Sequence, residues 1–159
     1  MEYEYSFEVR SLDKYIEYCE KNNYEKISEK KEIRIIYRNE NKTMARITIE
    51  DDKDAYLDFK DDILNDEVLI ERRETPKLHI DNMETILKML DFLKYTKDNT
   101  LDRKRIVYKK GLVTFEFDVY KEPRETCVVA IEGEKEETDK VYKEVTSNKF
   151  NKWIIKIVT

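Results

Sequence analysis

Acidic and basic residues recur at every second position in several short runs of this chain, and chemistry concentrates in those runs. In an extended segment Glu2 and Glu4 share one side, as do Arg34 and Arg38, Arg103 and Arg105, Glu116 and Asp118, and Glu132 and Glu134. Arg46, Lys60 and Arg72, the last beside Glu74, occupy polar positions of similar runs. Carboxylates are hard oxygen ligands suited to Mg2+ or Mn2+, whereas guanidinium groups grip phosphate oxygens in pairs. The two signs together suit a polyanion held with a divalent cation.

Composition removes several other chemistries. The 159 residues include 31 Lys+Arg and 36 Asp+Glu, a net charge of −5, so no coherent positive surface exists for general nucleic-acid binding. A 5′-triphosphate end is the one nucleic-acid ligand still compatible with the motifs. With only Gly111 and Gly133, neither a P-loop nor a Rossmann fingerprint can be assembled. His79 is the sole histidine, which removes His-rich zinc sites, and its loop position after Pro76 reads as structural. Cys19 and Cys127 lack metal or redox spacing, and no apolar leader or run of about 20 residues is present, so a cytoplasmic protein without membrane association is expected. A 40% hydrophobic share, with 11 Tyr and 6 Phe, is enough for a core despite 42% charge.

The elements that must position these residues follow from periodicity. Residues 2–10 alternate as a strand. Ser11 and Asp13 can cap a helix over 12–21 carried by Leu12, Tyr15, Ile16 and Cys19. Strands over 31–38 and 44–50 flank a turn at 39–42, and a second pair covers 56–61 and 67–74 before Pro76. Asp81 caps a helix over 82–95 with Met83, Ile86, Leu87, Leu90 and Leu93 on one stripe. Strands over 103–110 and 112–121 turn at Gly111, and another covers 126–134. A helix over 136–147 and a terminal strand over 152–158 complete the chain, with Trp153 as packing. The expectation is one α+β domain over 1–159, with eight or nine antiparallel strands and three helices. Two arrangements fit the charged strand faces: an open sheet turned to water, or a barrel with its polar faces inward and helices covering the apolar outside.

The order of the motifs resembles the CYTH, or triphosphate tunnel metalloenzyme, superfamily, which includes class IV adenylate cyclases, thiamine triphosphatases, tripolyphosphatases and some RNA triphosphatases. The resemblance runs from Glu2 to about Glu134. Glu2-Tyr3-Glu4-Tyr5-Ser6 is similar to the family's opening Glu-x-Glu-x-Lys strand; the segment 33–38 and Arg46 resemble its basic strands. Arg103-Lys104-Arg105, Gly111, Phe115-Glu116-Phe117-Asp118 and Ile131-Glu132-Gly133-Glu134 resemble its later basic pair, hairpin and acidic strands. The resemblance implies an antiparallel β-barrel tunnel in which Glu2, Glu4, Asp118 and Glu132 bind Mg2+ or Mn2+, with Glu116 a ligand or close behind one. It makes Arg34, Arg38, Arg46, Lys60, Arg72, Arg103 and Arg105 the phosphate clamp, with Glu4, Arg105 and Lys60 at the reacting phosphoryl group. The implied reaction is metal-dependent hydrolysis of inorganic tripolyphosphate, thiamine triphosphate or a nucleoside triphosphate, and a homodimer of this chain is compatible with the reading. Ser6 replaces the family's lysine and Ala130 a frequent glutamate, with Glu134 a substitute carboxylate. Those departures keep two alternatives open: an adenylate cyclase, and a phosphate- or polyphosphate-binding module without turnover.

Overall fold

Alternation of apolar and charged residues builds nine strands here, because each can bury one face and charge the other. The computed structural model describes residues 2–41, 43–64 and 69–147, without the side chains of 62–64 and 69–72. The terminal strand expected over 152–158, with Trp153, lies outside the described residues, as do residues 67–68 of the fifth strand. In chain order the elements are β1 (Glu2–Val9), α1 (Asp13–Lys21), β2 (Glu25–Arg38), β3 (Met44–Glu50), β4 (Asp54–Leu64) and β5 (Leu69–Glu74). They continue with β6 (Leu78–His79), α2 (Met83–Phe92), β7 (Thr96–Lys110), β8 (Val113–Glu122), β9 (Thr126–Gly133) and α3 (Lys135–Val145).

The strands follow the order β3-β2-β7-β8-β9-β1-β5-β4, and β4 pairs back onto β3, closing a ring of eight to which β6 adds at β4. Closure selects the barrel over the open sheet. Outside the ring, Tyr5, Phe115, Phe117, Val129 and Ile131 of β1, β8 and β9 pack under Tyr15 and Cys19 of α1 and Val141 and Val145 of α3. A second apolar cluster sets Ala45, Ile47 and Leu57 of β3 and β4 beneath Leu90 of α2. Phe115, Phe117, Val129 and Ile131 are fully buried, and each such side chain contributes roughly 1.5–3 kcal/mol. With the apolar faces spent on the helices, the opposite faces have only the barrel interior to occupy.

Element ends depart from the sequence pattern in physically readable ways. β2 begins at Glu25, several residues earlier than alternation indicates, because charged cross-strand pairs carry its extension: Lys104 meets Glu29 at 2.9 Å and Lys30 meets Glu50 at 2.8 Å. β7 begins at Thr96 because residues 96–102 pair along β2 as far as Arg38. Asn82 rather than Asp81 caps α2, its side chain accepting from the Thr85 N–H at 3.1 Å. Ser11 accepts from Asp13 N–H at 3.2 Å, while Leu12 occupies the cap position of α1.

Candidate functional site: a charged lumen in three levels

Strand stagger, not sequence proximity, decides which lumenal residues lie level with one another. Around the ring each strand is displaced on its neighbour in the same sense, by about two residues per step, as a tilted barrel requires. Level neighbours are therefore diagonal partners, and the inward positions sort into three levels. The first holds Glu132, Glu116, Arg105, Glu32, Thr48, Asp58 and Glu74. The second holds Glu4, Ala130, Asp118, Arg103, Arg34, Arg46 and Lys60. The third holds Ser6, Val128, Tyr120, Leu101, Ile36 and Met44. All of them except Glu32 and Thr48 line a single cavity of about 460 Å3.

Side-chain contacts tie the second level to the first. Arg46 donates from Nε to Asp58 at 3.0 Å and from Nη2 to Glu74 at 3.1 Å, with a further bond to the second oxygen of Asp58. Arg34 donates from Nε to Thr48 Oγ1 at 3.0 Å. Glu32 is the shared counter-ion, 3.5 Å from Arg103 and 3.9 Å from Arg34. Burial pushes the Glu32 carboxyl up, but Arg105, Arg103 and Arg34 outweigh it and hold the group below the usual glutamate range. Arg105 belongs to the acidic level: Asp118 accepts from its Nε at 2.7 Å and its Nη2 at 2.8 Å, and Glu116 lies at 2.5 Å. Although burial opposes its charge, Glu116 and Asp118 raise its pKa well above the ordinary value.

Positive charge is left under-compensated at Arg34, whereas Arg103 lies 3.5 Å from both Glu32 and Asp118. Burial lowers the pKa of Arg34, the neighbouring guanidiniums of Arg103, Arg105 and Arg46 lower it further, and Glu32 offsets only part. A guanidinium keeps its proton at neutral pH, so this imbalance is an affinity for an anion. Arg103 is 3% exposed and its Nε has no hydrogen-bond partner, although Nη1 donates to Tyr120 Oη at 2.8 Å. A buried donor without an acceptor is expensive, and a phosphate oxygen in the cavity supplies one.

The carboxylates converge on the same side of this arginine group. Glu4, Glu116 and Glu132 bring oxygens within 4.8 Å of one another, close enough to share one cation. They come together because Glu4 faces Glu132 across β1 and β9, and Glu116 sits one diagonal along β8. Hard oxygen donors of this kind fit Mg2+ or Mn2+.

The lumen thus joins Arg34, Arg46, Lys60 and Arg103, all drawn from the sequence-level clamp, but redistributes the others. Arg38 lies one step past the third level and is spent on Asp98 at 2.9 Å, with its side chain 40% exposed. Glu2, the first residue of β1, is exposed and outside the glutamate group. Asp118 is taken up by Arg105, and Glu116 stands in the position among the acids that Asp118 is expected to hold. Glu134 caps α3 from an exposed position. Arg72 has a described backbone, opposite Glu2, but its side chain lies outside the described residues. His79 is half exposed on the outside between Asp81 and Asp54. Glu32, Asp58 and Tyr120 escape the sequence motifs, yet each stands two residues from a motif residue on the same face, which is the signal that finds them.

No protein-family model and no curated protein matches the chain. Solved structures do match. A conserved hypothetical protein from Pyrococcus furiosus superposes with a TM-score of 0.73 at 23% identity, covering 91% of this chain and 88% of its own. A candidate adenylyl cyclase from Hippeastrum, described as having a dominant triphosphatase activity, gives 0.64 at 14% identity over 91% and 85%. A candidate adenylate cyclase from Vibrio parahaemolyticus gives 0.62 at 13% identity over 90% and 82%. Among the described residues no helix is long and apolar enough to cross a membrane. With its closed ring of antiparallel strands and three outer helices, the chain has the fold of the CYTH triphosphate tunnel proteins.

Proposed function

We propose that the protein hydrolyses a triphosphate with a divalent metal inside the barrel. The observation that carries this reading is the buried, under-compensated arginine level beside three converging glutamates, since a linear phosphate chain with a cation is the ligand that neutralises both. Glu4, Glu116 and Glu132 would hold Mg2+ or Mn2+. The ion when bound supplies charge neutralisation and polarisation at the terminal phosphoryl group.

The chain's own residues do the rest. Arg34, Arg46, Arg103 and Lys60 bind and align the phosphates, and their burial strengthens each contact by excluding water. Arg105 positions Asp118 and Glu116, fixing both carboxylates before ligand arrives. Such preorganisation and in-line alignment suffice for phosphoryl transfer to water without a covalent nucleophile.

The test is phosphate release from tripolyphosphate, thiamine triphosphate and ATP, with Mg2+ or Mn2+, for the wild type and Glu4→Gln. Metal-dependent release that falls by about 100-fold in the variant is expected. Release from none of the three contradicts hydrolysis; tight binding without release identifies the binding module, and cyclic AMP from ATP the cyclase.

A further inference from the structure

The third level of the lumen has a different character from the two charged ones. Register places Met44, Ile36, Leu101, Tyr120 and Val128 on successive strands, each the diagonal neighbour of the next, with Ser6 diagonal to Val128 across β1 and β9. All six line the same cavity as the arginines, and all but Ile36 keep part of their surface open to it. Ile36 is 8% exposed. Apolar side chains are thus presented inward, away from both outer cores. Interior apolar surface facing a cavity gains nothing from a fully ionic ligand. It does gain from an organic group that excludes water there.

We infer that this level is a sleeve for an organic group on one end of the phosphate chain, so that the ligand is an aromatic triphosphate ester rather than inorganic tripolyphosphate. The inference rests on the triphosphate reading above and adds which member of the class is bound. The Tyr120 ring and the Met44 thioether favour a flat ring through edge, face and sulfur contacts. Tyr120 also accepts from Arg103 at 2.8 Å and lies 5.6 Å beneath its guanidinium, so the level that meets the organic group also orients a phosphate-binding arginine. Ser6 contributes to the same layer. The chain's substitution of serine for the lysine of the resembled motif leaves this level without a formal charge among its described side chains.

The experiment compares ligands that share a phosphate charge but differ in the organic part. Dissociation constants are measured calorimetrically for methyl triphosphate, ATP, thiamine triphosphate and tripolyphosphate, in EDTA to suppress turnover, on the full chain. At least one aromatic ester should bind about 10-fold more tightly than methyl triphosphate, the scale of a few apolar contacts. Replacing Leu101→Gln and Val128→Thr should erase most of that difference while leaving methyl triphosphate within about twofold. Equal affinity of the wild type for methyl triphosphate and both aromatic esters overturns the sleeve, and so does a variant that weakens every ligand alike. The wild-type comparison decides even if the variant fails to fold. Binding of methyl triphosphate and tripolyphosphate without a preference for rings leaves the triphosphate reading standing and removes only the sleeve. Binding of none of the four removes both.

Discussion

Glu32 sits among three arginines at 3.5 to 4.0 Å, so it is the residue on which the unliganded lumen depends most. Its folded pKa is depressed below the unfolded glutamate value; the stability it contributes is fully present above that value and lost as pH falls through the folded pKa. Glu32→Gln should cost about 3 kcal/mol at neutral pH, because it strands buried guanidiniums, and should flatten the acid limb of a stability profile below roughly pH 4.3. Urea titrations from pH 7 to pH 3 check both. Arg34 predicts the opposite sign. As the under-compensated cation, its replacement by methionine should stabilise the unliganded protein by about 1 kcal/mol while removing triphosphate affinity, read as a higher melting temperature that ligand no longer raises. The sequence discloses these charges but not their division of labour. Arg103 and Arg105 are the same residue type two positions apart, yet one retains an unpartnered N–H and the other is saturated by carboxylates. That difference arises from which residue of the neighbouring strand lies opposite, Tyr120 of β8 for Arg103 and Asp118 for Arg105, which no local motif encodes.

At the scale of elements, the site depends on β9 and β1 holding Glu132 and Glu4 face to face while α3 turns away directly afterwards. Gly133 makes this junction at φ 145°, where an added Cβ would lie 1.9 Å from the Leu112 carbonyl oxygen. Gly133→Ala should therefore destabilise by about 2 kcal/mol or more and disturb the glutamate group, measurable as a lower melting temperature with a weaker response to Mn2+. Strand identities were legible in the sequence because β1, β3 and β8 alternate and β9 is a short apolar run, each packing an outer core. The beginning of β2 was not, since Lys26, Glu29 and Lys30 form ion pairs there without apolar periodicity; nor was that of β7, whose residues 96–100 are polar and are held by pairing with β2. β6 is only two residues long and pairs with β4 alone, too short for any pattern to register.

For the molecule as a whole, inversion of the usual arrangement is the central physical feature: two apolar cores lie outside a closed sheet, and charge lies within it. A net charge of −5 does not preclude an anionic ligand, because positive charge is concentrated on one buried level where solvent and salt screen it least. The charged strand faces left an open sheet and a barrel equally compatible, and only the motif order pointed to the barrel; its three levels depend on stagger, which becomes readable only when strand partners are known. The most direct test is a calorimetric titration of tripolyphosphate with Mg2+ into the wild-type chain and into Arg34→Met. Saturable binding of one molecule per chain by the wild type, lost in a variant that still folds, is the predicted result; no saturable heat, or equal binding by the two proteins, would contradict a phosphate chain seated on the arginine level.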